Sequence, residues 1–237
     1  MKAAFLCEFT TIRSALLQMA VIYLIIGVVV GIAMESSIAM VACIAAMTPF
    51  LVVFTLSGYD DANGWERFRA CLPISRTAIV LGRYAIVLLS SIAMAAFAVI
   101  VALALAQLAP ILPLAEGAAE GLVAQSDPLT LISSALAGTS IILLVTALIL
   151  PFVLRYGMTK AMRIVPVVIV LLFVVAVPLI GDALADLASA SWMADFVAFA
   201  NDPGNLLVVM VAIAVAVLVV YAISCAAAAR LYRRKEL

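Results

Sequence analysis

The sequence predicts an all-α membrane protein, a bundle of six transmembrane helices with both termini in the cytoplasm. Three observations carry that expectation. The 237 residues are 68% hydrophobic and 11% charged, with mean hydropathy +1.35. Soluble domains are roughly 45–50% apolar and about 25% charged, and a fold of this size has no core able to bury such an excess. The apolar residues fall into runs long enough to cross a bilayer, and the runs are apolar on every face rather than alternating as barrel strands do. Third, the 13 basic residues occur only before the first run and in every second connection thereafter.

The runs are Ser14–Met34, Ile38–Leu56, Ala85–Ala106, Leu131–Val153, Ile164–Ile180 and Leu206–Ala229. The fifth is short and carries Pro166 and Pro178, so a kinked or tilted helix is expected there. Pro49 and Pro151 are read as distortions near span ends. Lys2 and Arg13 precede the first run; Arg67, Arg69, Arg76 and Arg83 follow the second; Arg155, Lys160 and Arg163 follow the fourth; Arg230, Arg233, Arg234 and Lys235 follow the sixth. The other connections hold only acids: Glu35; then Glu116, Glu120 and Asp127; then Asp182, Asp186, Asp195 and Asp202. The positive-inside rule places the basic connections and both termini in the cytoplasm, and the localisation expected is a bacterial cytoplasmic membrane. The net charge of zero is then two oppositely charged faces separated by lipid.

Residues before the first run repeat Phe5, Phe9, Ile12 and Leu16 at helical spacing, with Lys2, Glu8 and Arg13 between them. This pattern predicts an N-terminal interfacial helix that lies on the inner leaflet before the chain turns into the membrane; the alternative is a frayed tail. No short apolar core leads to a cleavage site of the signal-peptide kind. Gly27 and Gly31 form a G-x-x-x-G pair that permits close helix approach, either inside one protomer or at a dimer contact. Arg83, at the start of the third run, is expected to snorkel to water.

Several chemistries are excluded. With no histidine, His-based triads, ligands and proton relays are absent. The neutral balance removes a nucleic-acid partner. The interiors of the six runs hold no Asp, Glu or Lys, which argues against ion coupling through an intramembrane carboxylate. No phosphate loop and no nucleophile elbow occur. No enzyme activity, metal or bound cofactor is therefore expected of this chain. Cys7, Cys43, Cys71 and Cys225 fit no metal spacing and are read as reduced apolar side chains.

The long external connections are 107–130 and 181–205. In the first, Glu116 and Glu120 stand one turn apart and are read as a solvated face. In the second, Leu184, Leu187, Trp192, Phe196 and Phe199 recur at near-helical spacing among four aspartates, which fits short helices on or in the outer leaflet. The aspartates lack the spacing of a calcium loop.

The 57–83 connection is the least lipid-like part of the inner face. Asn63 and Glu66 form a capping box, Trp65, Phe68 and Leu72 make one apolar stripe, and Pro73 stops the helix. The short amphipathic helix so defined is either an interfacial anchor with Trp65 at headgroup level or a peg that docks in another protein.

At this point the sequence resembles a family. Gly64-Trp65-Glu66-Arg67-Phe68, then Leu72-Pro73-Ile74-Ser75-Arg76, then Ile79-Val80-Leu81-Gly82-Arg83-Tyr84 is similar to the small six-span ABC-2 type transporter permeases, the membrane subunits of ATP-binding-cassette exporters. Arg67 and Arg83 stand where lysine is common in that family, which keeps the charge and changes the donor geometry. The resemblance implies one transmembrane domain over 1–237, dimerisation with itself or with a related permease, and a separate cytoplasmic ATPase that holds ATP and magnesium. It also implies a coupling helix. Asp61, Trp65, Glu66, Arg67, Phe68 and Arg69 would contact the ATPase or pack near it, and Leu72, Pro73, Ser75 and Arg76 would fix that helix against the third span.

The function so implied is outward movement of an amphipathic or hydrophobic cargo, a peptide before a drug or lipid, through a dimer interface. An apolar interior without carboxylates suits such a cargo better than a sugar or an ion. Two other classes remain at the level of sequence. An ATP-independent transporter would act in liposomes alone, and a membrane immunity or peptide-sequestering module would act beside a catalytically dead ATPase.

Overall fold

The computed structural model describes residues 2–63, 75–111, 117–157, 199 and 203–233. Among these the regular structure is helical: α1 (Lys2–Ala33), α2 (Ser37–Asn63), α3 (Arg76–Leu108), α4 (Ala118–Ala124), α5 (Pro128–Tyr156) and α6 (Pro203–Arg233). All but α4 are long and apolar enough to cross a membrane. The expected fifth span, the coupling helix proper and the 181–198 segment lie outside the described residues.

Helix ends follow capping chemistry rather than hydropathy. Ser75 caps α3, its hydroxyl accepting from Ala78 N at 3.3 Å, so α3 begins at Arg76, nine residues ahead of its apolar run. Asp127 caps α5 through Thr130 N at 3.0 Å, with Pro128 in the first turn. The α2 helix runs on through Asp60 and Asp61 to Asn63. The 57–83 connection is therefore mostly helix, and 107–130 contains the end of α3 and all of α4, with Glu120 exposed. Pro49 lies in the middle of α2, and the helix continues past it and, in α5, past Pro151.

One expectation is corrected at the N-terminus. No turn separates an interfacial helix from the first span, because α1 is continuous from Lys2 to Ala33. The chain there has no Gly or Pro to break it, and Ile12 and Ala15 are buried in the core. Burial of Glu8, at 4% exposure, holds this first part of α1 against the bundle instead of on a membrane surface.

The most extensive contacts join α5 to α6 and α2 to α5, while α1 lies on α2 and α3. Two apolar clusters stack along the bundle. One gathers Ile12, Leu56, Val80, Tyr84, Leu150, Tyr221 and Tyr232; the other gathers Tyr23, Met40, Ile44, Ala98, Leu122 and Leu131. Outward positions are apolar as well, among them Leu17, Ile25, Ile100, Ile141 and Ile223. Such surface is unstable in water and suited to lipid.

Gly27 and Gly31 face α2. A Cβ on Gly27 would stand 2.8 Å from Ile44 Cγ1, and one on Gly31 would stand 3.2 Å from Met40 Cβ and Sδ. Their bare backbone is what allows α1 and α2 to close on one another within the chain.

Candidate functional site: the basic end of the bundle

The start of α1, the end of α2, the start of α3 and the ends of α5 and α6 meet at one end of the bundle. The centre of this end is Arg83, 2% exposed. Its Nη2 donates to Asp60 Oδ2 at 2.6 Å and to Glu8 Oε1 at 3.1 Å, and its Nε lies 3.1 Å from Glu8 Oε2. That last approach is an ion-pair contact without the alignment of a hydrogen bond. One guanidinium thus ties α3 to α1 and to α2.

Arg83 is accordingly a buried structural cation rather than a side chain snorkelling to water, and the expectation is corrected. Its carboxylate partners supply the counter-charge that makes burial tolerable. Glu8 sits within the first membrane-crossing candidate and Asp60 at the end of the second. Both lie outside the apolar runs Ser14–Met34 and Ile38–Leu56. The signal available in sequence was faint: two acids and a base, each one or two turns from an apolar run, with nothing to show that they converge.

The described residues of the expected coupling set are Asp61, Ser75 and Arg76. Ser75 is the α3 cap already noted. Arg76 Nη1 donates to Arg233 O at 3.1 Å, a cation on the open carbonyl end of α6. Asp61 lies beside Gly157, where a Cβ would come 3.6 Å from Asp61 Oδ1. Gly157 has φ +78° and ends α5, its N–H donating to Val153 O at 2.9 Å, a conformation that favours glycine. Hence the helix ends flanking residues 64–74 each touch another helix: α2 meets α5, and α3 meets α6. Trp65, Glu66, Arg67, Phe68, Arg69, Leu72 and Pro73 lie outside the described residues.

One residue further along, Tyr84 opens a second polar network. Its hydroxyl is 2.9 Å from Ser224 Oγ, Ser224 Oγ donates to Ala147 O, and Tyr221 OH donates to Tyr84 O at 3.0 Å. The two tyrosine rings are 4.9 Å apart between centroids and tilted by 57°. Buried polar groups in an apolar bundle require such partners, and these join α3, α5 and α6. The Arg83–Tyr84 dipeptide therefore links α3 to each of the other long helices. Among the described residues no group of three or more metal-ligating side chains is found.

The site is a charged, multi-helix junction at one end of a lipid-exposed helical bundle, and the class it defines is an integral membrane protein with several crossing helices. The family model for the ABC-2 family transporter protein matches residues 5–233, nearly the whole chain, so this chain belongs to the ABC-2 transporter family. Permeases of that family are membrane components of transporters and normally work with an ABC ATPase. Comparison with curated proteins gave no match, and comparison with solved structures gave none.

Proposed function

We propose that this chain is the permease subunit of an ATP-driven exporter that moves an amphipathic or hydrophobic cargo, a peptide in first place, outward through an interface between two permeases. The 60–76 segment couples it to a separate cytoplasmic ATPase. The observation that carries the coupling part is the Arg83 junction. Asp60 precedes the 64–74 segment, Arg83 follows it, and Arg83 bonds both Asp60 and Glu8. A push on that segment from an ATPase would reach α1, α2 and α3 together, because charge-assisted bonds from one guanidinium hold their relative positions.

Six spans with cytoplasmic termini fit this reading. The α5 and α6 helices run in the same direction, with Ala147 beside Ser224 and Arg155 beside Arg230. Two parallel helices in one chain require an odd number of crossings between them, which supports a further span between residues 157 and 203. The basic end then faces the cytoplasm, where ATP is found.

Replacing Trp65 and Glu66 together by alanine should leave insertion in the membrane intact and the ATPase active, while cargo movement in vesicles containing both subunits falls to background. Transport at the wild-type rate would sink the coupling assignment. Transport that continues with a catalytically dead ATPase would sink the ATP-driven reading itself.

A further inference from the structure

The last turns of α5 and α6 enclose a groove of about 460 Å³ lined by Arg155, Arg230, Leu231 and Arg233. All three arginines are exposed. Among the described residues no carboxylate neutralises any of the three; Arg155 lies over the ring of its neighbour Tyr156. Arg76 adds a fourth guanidinium to the rim, committed to the Arg233 carbonyl.

The position of this charge is informative. No charged residue occurs from Leu129 to Leu154 or from Leu206 to Ala229, so Arg155 and Arg230 each stand where an apolar run stops, at the level where hydrocarbon gives way to headgroups. Each also tops an outward apolar stripe at one-turn spacing. On α5 the stripe is Leu148, Phe152 and then Arg155; on α6 it is Val219, Ile223, Ala227 and then Arg230, all exposed. A cationic groove above two apolar stripes is complementary to a molecule with an anionic head and aliphatic tails.

We propose that this groove is a binding site for an anionic phospholipid of the leaflet at the basic end. The headgroup phosphate sits among Arg155, Arg230 and Arg233, and the acyl chains lie along α5 and α6. Guanidinium forks match phosphate oxygens in pairs, and an anion there relieves the repulsion among three converged cations. An acidic protein surface would satisfy the charges and leave the stripes unused, which is why the lipid is the occupant chosen. This site stands independently of the coupling assignment.

The test uses the full-length chain extracted from phosphatidylcholine bilayers made with and without phosphatidylglycerol, with retained lipid counted by native mass spectrometry. The wild type should retain phosphatidylglycerol in preference to phosphatidylcholine. Each of Arg155→Gln, Arg230→Gln and Arg233→Gln should weaken that preference roughly fivefold, and the triple variant should abolish it. The triple lysine variant should keep most of the preference, and Arg13→Gln, an exposed charge elsewhere on the same end, should change nothing. Equal phosphatidylglycerol retention by wild type and the triple glutamine variant would overturn the proposal. So would saturable binding of inorganic phosphate that the triple variant loses while no lipid preference exists. If the triple glutamine variant loses binding to an added ABC ATPase that the wild type binds, while its phosphatidylglycerol retention is unchanged, the groove is reassigned to protein docking. The single glutamine variants keep the test decisive if the triple variant fails to fold.

Discussion

The two ends of this bundle are held together by different physics. At the basic end, three helices converge on one buried guanidinium through Glu8 and Asp60, and three more contacts pass through Tyr84, Tyr221 and Ser224. At the opposite end the junctions among the described residues are neutral hydrogen bonds. The short α4 helix docks on the turn between α1 and α2, where Ser37 Oγ donates to Leu122 O at 2.8 Å and Ser36 Oγ to Gln125 Oε1. Glu35 takes φ +51° to make that turn, and Gly121 comes so near the Glu35 carbonyl that no side chain fits between them. Neutral contacts of this kind set spacing by shape. Charge-assisted contacts fix direction as well, and break at a higher cost. The proposed coupling role belongs to the end built from the costlier contacts, because breaking any one of them there costs more.

The largest effect is expected from Arg83→Met. It removes the guanidinium that Glu8 and Asp60 both bond inside the bundle and should cost about 3–5 kcal/mol of stability, read as an earlier unfolding midpoint in a denaturing-detergent titration of the purified chain. Adding Glu8→Gln and Asp60→Asn should recover much of that loss, because the buried charge is gone from all three positions. If the single variant matches wild type, the basic end is no more tightly held than its neutral counterpart.

At the neutral side of the molecule, Gly31→Leu should cost about 1–3 kcal/mol by overpacking, since even a Cβ there already presses on Met40. Charge-removing variants at the basic end should leave this penalty unchanged, as the two sites share no partner. Ser224→Ala is the smaller test. It removes the hydroxyl that serves Tyr84 and Ala147, and should lower stability by about 0.5–1.5 kcal/mol. Smaller still is Ser37→Ala, which leaves the Leu122 carbonyl without its hydroxyl donor and should cost about 0.5–1 kcal/mol by the same titration.

Apolar length and basic asymmetry together made the helical membrane class legible from the sequence, and the described residues contain five long apolar helices. The ABC-2 resemblance rested on the 64–84 motifs, and the family model extends it across residues 5–233. Hydropathy located helix centres well and helix ends poorly. An apolar run stops at the first charge, whereas a helix stops where its backbone amides and carbonyls find caps, as at Ser75, Asp127 and Gly157. Arg83 was misplaced for a related reason. A cation just ahead of a run reads as a snorkelling side chain unless its partners are known, and those partners lie 75 and 23 residues away in the chain.

By itself, then, the sequence determined the solvent of this protein, because transfer of apolar side chains into lipid depends on composition and run length alone. It likewise determined its family. Only the tertiary structure decided that α1 is one unbroken helix, that Gly27 and Gly31 close on α2, and that Glu8, Asp60 and Arg83 form one buried junction. The same holds for the meeting of Arg155, Arg230 and Arg233 in one groove. The physical reason is common to all of these. Electrostatic and close-packing energies depend on distances between residues far apart in sequence, and no local pattern of residues carries those distances.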